Sequence, residues 1–334
     1  MSEQPSDIHL LEGDIQVARS VLAPVLAILV VLLGCFQAAL AETTATITVT
    51  TTLDVIADDG QCSLREAVIA ANTDSAYNNC PAGSGVDVIN FDPGLTLPAI
   101  FQLTKTDGSA VDDEKGDLDI RQSLTIDGGS QVNIILDGNL TDRVLEIHPG
   151  AGTNQNPVIL NGVTVRNGNP GSGAAGGGIY VGATARLTVN NSLVTGNSAT
   201  TCPSYCGAGI KLQGVVTINN STISSNQGGG LHNNGGILTL NNVQVMENTS
   251  GYGVAVLNGG YFYHTGGSVS NNQGGGIYIY NARAPSLTSL TISGNTLGGG
   301  LKNESSALIT PSSFTLTNSL VTQNSGTKIG RAHV

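Results

Sequence analysis

The chain has 334 residues, 45 of them glycine and none tryptophan, with 11% charged, 4% aromatic and 40% apolar residues. Glycine without a three-residue period excludes collagen, and that apolar content excludes a disordered chain, which leaves a turn-rich β architecture. The net charge of −11 is unevenly spread: 22 of the 24 acidic residues lie between Glu3 and Glu146, and the later basic residues are few and scattered, so a nucleic-acid surface is not expected.

The chain opens with an apolar run, Val21 to Phe36, preceded by Arg19 and followed by Ala39-Leu40-Ala41. A short apolar region before a small-x-small site reads as a cleaved signal peptide over residues 1–41, hence export to the cell surface or the extracellular space. The competing readings are an uncleaved anchor and, from Leu32-Leu33-Gly34-Cys35, a lipoprotein box; the run is shorter than the roughly 18–20 residues a span needs. The long acidic stretch ahead of it suggests a start codon assigned too early. Membrane association is expected only through this segment or a missing anchor.

Thr43–Val55 alternates Thr with Ile, Val and Leu and reads as one or two strands. A helix is predicted over Cys62–Asn72. Ser63 and Glu66 form an S-x-x-E capping box, Leu64, Ala67, Val68 and Ala71 share one face, and Asn72 suits the exit. Arg65 beside Glu66 invites a catalytic pair, but the expectation is a cap plus a surface charge. In an oxidising compartment the four cysteines beyond Cys35 pair locally, Cys62 with Cys80 and Cys202 with Cys206. Zinc is disfavoured because no C-x-x-C spacing occurs.

Cys62-Ser63-Leu64-Arg65-Glu66-Ala67 followed by Ala70-Ala71-Asn72 resembles the signature of CSLREA-type domains, found at the start of bacterial surface β-helix proteins. Val88-Ile89-Asn90-Phe91, Gly116 to Ile120 and Leu124 to Gly128 extend the likeness, which runs from about Ile47 to Asn169. The resemblance implies a parallel β-helix preceded by an N-terminal cap over residues 42–115, and leaves the molecular activity unassigned.

From Gly176 an internal repeat takes over. Its first half is Gly-Gly-Ile or a variant, ending at Ile179, Ile210, Leu231, Val254, Ile277 and Leu301; its second is an alternating strand ending in Asn197, Asn226, Asn248, Asn272, Asn295 or Asn324. A period of about 23 residues built of short strands and Gly, Asn and Ser turns predicts an all-β fold, a right-handed single-stranded parallel β-helix over 116–328 with about nine coils stacked about 4.8 Å apart. The six Gly-Gly-Ile apolar residues should form one inward column. The Asn residues suit left-handed turns and side-chain ladders, rather than glycan binding. The repeats also resemble those of polymorphic outer-membrane proteins, without the usual aromatic before the Asn. Residues 329–334, Ile-Gly-Arg-Ala-His-Val, match one reading frame of a common sequencing adapter, so the natural chain is expected to continue differently beyond Lys328.

Catalysis on the regular coils is not expected, because glycoside hydrolysis needs paired carboxylates and none follow Glu146 except Glu247 and Glu304, two coils apart and out of register. Three candidate sites remain. Asp112, Asp113, Asp117 and Asp119 form an acidic loop and a weak calcium candidate, without an ordered ligand spacing. Asp127, Asp137, Asp142 and Glu146 with Arg121 and Arg143 could line a groove on the first coils. Tyr261, Tyr263, Tyr278 and Tyr280 come from neighbouring coils and could stack on sugars. No cofactor is implied. The expected role is an exported structural or adhesive protein with a lateral face for carbohydrate or another surface partner; the alternative is a carbohydrate-active enzyme with its site in the first coils or in a missing C-terminal part.

Overall fold

The computed structural model describes residues 44–106, 113–152, 156–171, 173–199, 206–305 and 314–326. The signal segment, Cys35, Asp112, Cys202 and residues 329–334 lie outside these. The described chain winds into coils whose strands pair in parallel with the next coil. One ladder begins at Thr46–Val49 and Asp87–Phe91 and proceeds through Leu124–Asp127, Val158–Asn161, Arg186–Asn190 and Val215–Asn219. A second begins at Ala99–Gln102 and Ile134–Asp137. The long strands Ile237–Met246 and Tyr261–Ser270 belong to both and fuse them into a 17-stranded sheet. A third ladder is a separate eight-stranded sheet, from Leu118–Ile120 and Leu145–Ile147 to Ile277–Tyr280 and Leu301–Glu304.

Alternation places one side of every strand inward. In the smaller sheet Leu118, Leu145, Ile179, Ile210, Leu231, Val254, Ile277 and Leu301 are register partners in succession. None is more than 2% exposed. The column predicted from the Gly-Gly-Ile repeat is thus present and extends two coils further toward the N-terminus.

The repeat-ending Asn residues are not the left-handed turn residues. Asn197, Asn226, Asn248, Asn272 and Asn295 are buried, and each donates Nδ2 to the Oδ1 of the next, at 2.9–3.0 Å over the first four links and 2.8 Å on to Asn324. The same Oδ1 atoms accept the backbone N–H of the preceding Asn. Positive φ falls instead on a second set, including Asn191, Asn220, Asn242 and Asn318. The buried ladder also explains the paired glycines. A Cβ on Gly209 would meet the carbonyl of Gly230 at 2.6 Å and the Asn226 amide at 3.0 Å, and Gly230 meets Gly253 and Asn248 in the same way.

One helix, α1 (Leu64–Thr73), covers the N-terminal edge of the smaller sheet. The Ser63–Glu66 capping box forms, but α1 continues past Asn72 to a left-handed C-cap at Asp74. Asn72 serves the sheet: its Nδ2 donates to Asp119 O (2.7 Å) and its Oδ1 accepts from Arg121 N (2.9 Å). Seven residues earlier on the helix, Arg65 donates to the carbonyls of Gly116 (2.8 Å) and Asp117 (3.2 Å). Two side chains thereby take the hydrogen bonds that a preceding strand would have made, which closes an edge otherwise open to association. Arg65 is therefore not the surface charge expected of it. It is 1% exposed and clamps Asp54 at 2.7 and 3.2 Å. Glu66 is equally buried, holding Ser63 N, Ala57 N and Asn78. The Cys62–Cys80 disulfide, with Cα atoms 4.9 Å apart, ties down the start of the helix. Cys206 is also disulfide-bonded; its expected partner, Cys202, lies outside the described residues.

Among the described residues, Asn233 and His264 are inward strand positions that break the apolar rule. His264 stands in register between Leu240 and Leu287, fully buried beside the Phe262 ring at 6.0 Å. Neither ring nitrogen completes a hydrogen bond among the described residues. Burial pulls its pKa down to about 4 against backbone groups at Val243 and Gly266. A pKa below the unfolded value of about 6.5 means stability present above pH 6.5 and lost as pH falls toward 4. His264→Leu should therefore raise stability by about 1–2 kcal/mol at pH 7 and by more at pH 5, measured by thermal unfolding at both.

Candidate functional site

The outward positions of the smaller sheet concentrate the charge. Asp119, Glu146, Tyr180 and Lys211 are register partners on four successive coils. Arg143 reaches over this row. Its Nη1 lies 3.0 Å from Asp117 and against Glu146, its guanidinium sits 5.1 Å above the Tyr180 ring, and its Nε donates to the Gly176 carbonyl. Arg121 bonds Asp113 at 2.7 Å and Asp119 at 3.4 Å, and His148 Nε2 lies 2.6 Å from Asp119 Oδ1. Carboxylate oxygens of Asp117, Asp119 and Glu146 fall within 4.8 Å of one another.

Burial pushes the Asp117 carboxyl up to about 7; Arg143 opposes this, while Asp119, Asp142 and Glu146 add to it. Its hydrogen bond to Asp119 raises His148, against burial. Burial, with Arg143 nearby, lowers Lys211. The arrangement can thus hold the Asp117 carboxylic acid protonated beside other acidic side chains, as an acid–base pair requires. It could also gather a hard cation, but Arg143 already occupies the position between Asp117 and Glu146 that such an ion would need.

The Asp117 shift has a definite sign. A carboxyl whose folded pKa lies above its unfolded 3.8 contributes stability that is full below pH 3.8 and is lost as pH rises toward 7. Asp117→Asn should therefore be more stable than the parent at pH 8 and gain little at pH 4, as read from urea midpoints at the two values.

The residues expected to share one groove are divided. Arg121, Arg143 and Glu146 meet in this cluster, and Asp142 adds its charge while accepting from Arg143 N. Asp137 is buried in the second ladder, paired with Arg166 at 2.7 Å and Asn167 at 2.9 Å. Asp127 lies on the first ladder, where its Oδ1 accepts from Gly129 N and Asn161 Nδ2. The calcium candidates divide too: Asp117 and Asp119 join the cluster, whereas Asp113 is spent on Arg121. The four tyrosines do not make one patch. Tyr261 and Tyr263 belong to the large sheet, with Arg283 stacked over Tyr261. Tyr278 and Tyr280 belong to the smaller sheet, where Tyr278 stacks on Tyr252 and under Lys302 and is buried. Asp54, His148 and Tyr180 were not singled out as functional partners in the sequence. A signal for the cluster does exist there, because Leu118-Asp119-Ile120 and Leu145-Glu146-Ile147 repeat one pattern on successive coils.

The large sheet presents a different surface. Asp127, Asn161, Asn190, Asn219, Asn241, Thr265, Thr288 and Thr317 are outward register partners. Two residues back along each strand, Thr188, Thr217 and Thr239 form a parallel row. Side-chain bonds of 2.8–2.9 Å link Asp127 to Asn161, Asn190 to Asn219 and Asn219 to Asn241. The result is a partly exposed lattice of amides and hydroxyls repeating at the coil spacing.

The family model described as the right handed beta helix region matches residues 206–331. The described residues have the fold of a right-handed parallel β-helix. Neither a curated protein nor a solved structure matches the chain. The match covers the later coils, while Asp117, Asp119 and Glu146 lie N-terminal to it.

Proposed function

We propose that this β-helix is an exported bacterial surface protein of CSLREA type, with residues 1–41 as its signal, whose large-sheet face binds an extended carbohydrate partner. The observation that carries this is the outward Asn and Thr lattice on consecutive coils. A polymer laid along the coils would meet the same donors and acceptors every 4.7–4.9 Å or so, which suits a repeating chain better than a compact ligand. The resemblance of residues from about 47 to 169 to CSLREA-type domains supports the surface location, and fold alone does not fix the ligand.

The test is affinity electrophoresis of the full chain through gels containing soluble polysaccharides. Retardation by at least one polysaccharide is expected, and Thr217→Glu, in the middle of the lattice, should abolish it without lowering the melting temperature. Unretarded parent protein in every gel overturns the reading.

A second reading, a glycoside hydrolase or lyase centred on the ionic cluster, is favoured by one observation, the Asp117 acid held near pH 7 beside Asp119 and Glu146. Against it, Arg143 closes the space between the carboxylates that a sugar oxygen or water would need. Incubation with pectin, alginate, chondroitin and xylan, with and without calcium, should therefore release no reducing or unsaturated ends. Turnover that disappears in Asp117→Asn would promote the cluster to an active centre.

A further inference from the structure

At the N-terminal end of the polar lattice, the segment between Phe91 and Ala99 and the Gly128–Gly129 turn enclose a cleft of about 260 Å³. Its lining combines the apolar Phe91, Pro93, Leu95, Leu97 and Ile134 with the polar Asn90, Asp92, Asp127 and Asn133. Leu97 is 54% exposed, so a ligand in the cleft can reach it. The polar lining is rich in acceptors. Asp92 uses Oδ1 to hold Gly94 N, and Asp127 uses Oδ1 for Gly129 N and Asn161. The Asn90 Oδ1 is buried without a hydrogen bond among the described residues.

Asp127 carries the argument further. It occupies the outward column whose next members are Asn161, Asn190, Asn219 and Asn241. Its ladder duty, accepting through Oδ1, is one that an asparagine oxygen performs equally well on the coils beyond. The carboxylate is thus surplus to the ladder, and it appears where the column meets the cleft.

We propose that this cleft is a binding subsite for a neutral saccharide unit, the place where a chain lying on the lattice is anchored. Vicinal hydroxyls donate to the Asp92 and Asp127 carboxylates, while the C–H face of the ring lies on Phe91, Leu95 and Leu97. Five apolar lining residues make the cleft a poor cage for a bare cation, and its two carboxylates repel uronate and sulfated sugars. The inference rests on the carbohydrate-binding reading and narrows it to uncharged polymers.

The experiment is calorimetric titration of the full chain with neutral oligosaccharides (gluco-, manno- and galacto-), with oligogalacturonate and with calcium chloride alone. It is repeated on Asp127→Asn, Asp92→Asn and Leu97→Arg. At least one neutral series should bind, each variant should weaken it about tenfold or more, and oligogalacturonate should not bind. The two Asp→Asn changes keep the Oδ1 acceptor, and Leu97 is exposed, so all three should melt with the parent. Neutral binding lost in Thr217→Glu but unchanged in the cleft variants overturns the cleft and leaves the lattice reading standing. Binding lost in the cleft variants but not in Thr217→Glu does the reverse. Binding of calcium alone that Asp127→Asn removes, or preferred binding of oligogalacturonate, overturns the cleft proposal.

Discussion

Replacing Arg65 with methionine should cost about 3–5 kcal/mol, the largest loss expected from any single change at the N-terminal cap. The methionine fills similar volume, so the loss is electrostatic. It strands the 4% exposed Asp54 carboxylate and frees the Gly116 and Asp117 carbonyls at the edge of the smaller sheet. Asp54 also accepts from Thr104 N and Lys105 N, so the same charge anchors α1 to the segment that follows Ala99–Gln102. In the parent, burial pushes Asp54 up, but Arg65 and those two amides outweigh it and hold the carboxyl below its ordinary value. Its contribution is therefore present above the unfolded pKa of 3.8 and is lost as pH falls through the lower folded value. Arg65→Met should be hurt most at neutral pH, and the gap to the parent should narrow on acidification. Urea unfolding at pH 7 and at about pH 2.5, below the unfolded value, checks this. Hydrogen exchange should show the loss concentrated in Leu118–Ile120 and its neighbours, since coils of a solenoid communicate mainly with adjacent coils. A variant as stable as the parent at pH 7 would mean that α1 does not close the sheet.

Asn248→Ala should cost about 3–5 kcal/mol, far more than an ordinary Asn→Ala. Its Oδ1 accepts both the N–H and the Nδ2 of Asn226, at 3.0 and 2.9 Å, and its Nδ2 donates to Asn272 Oδ1 and Ile223 O. Truncation leaves two buried donors on Asn226 unsatisfied, each costing about 1–3 kcal/mol where water has no access, and removes one of the partners of the Ile223 carbonyl. The control is Asn241→Ala on the outward column. That residue is exposed and its single ladder bond can be replaced by water, so a change within about 0.5–1 kcal/mol is expected. Equal melting temperatures for the two variants would remove the distinction between the buried and outward Asn ladders.

Cleavage of polysaccharide would alter the functional reading without touching the architecture, because the two depend on different residues. The coils follow from apolar alternation, visible in every repeat. A pair of glycines, a β-branched or leucine residue and an alternating strand ending in Asn are local and periodic, so one period of sequence constrains every other. That is why the column from Ile179 to Leu301, the capping box at Ser63 and Glu66 and the local Cys62–Cys80 bridge could be placed from sequence. Each needs only neighbours a few residues away or an equivalent place in the repeat.

What required the tertiary structure is everything that depends on which of three faces a residue occupies. Arg65 reads as a surface charge because its partners, Asp54 and the carbonyls of Gly116 and Asp117, are 11 and about 50 residues away and meet it only when α1 lies across the sheet edge. Asp127, Asp137 and Glu146 are close in sequence, yet the corners of the coil send them to three ladders. The same corners separate Tyr261 from Tyr278 although less than one period lies between them. Composition and periodicity therefore determined the coil and its inward column, since hydrophobic burial acts identically on every repeat. Only the wound chain decided the polar partners, because a hydrogen bond or ion pair is directional and needs both groups on the same face.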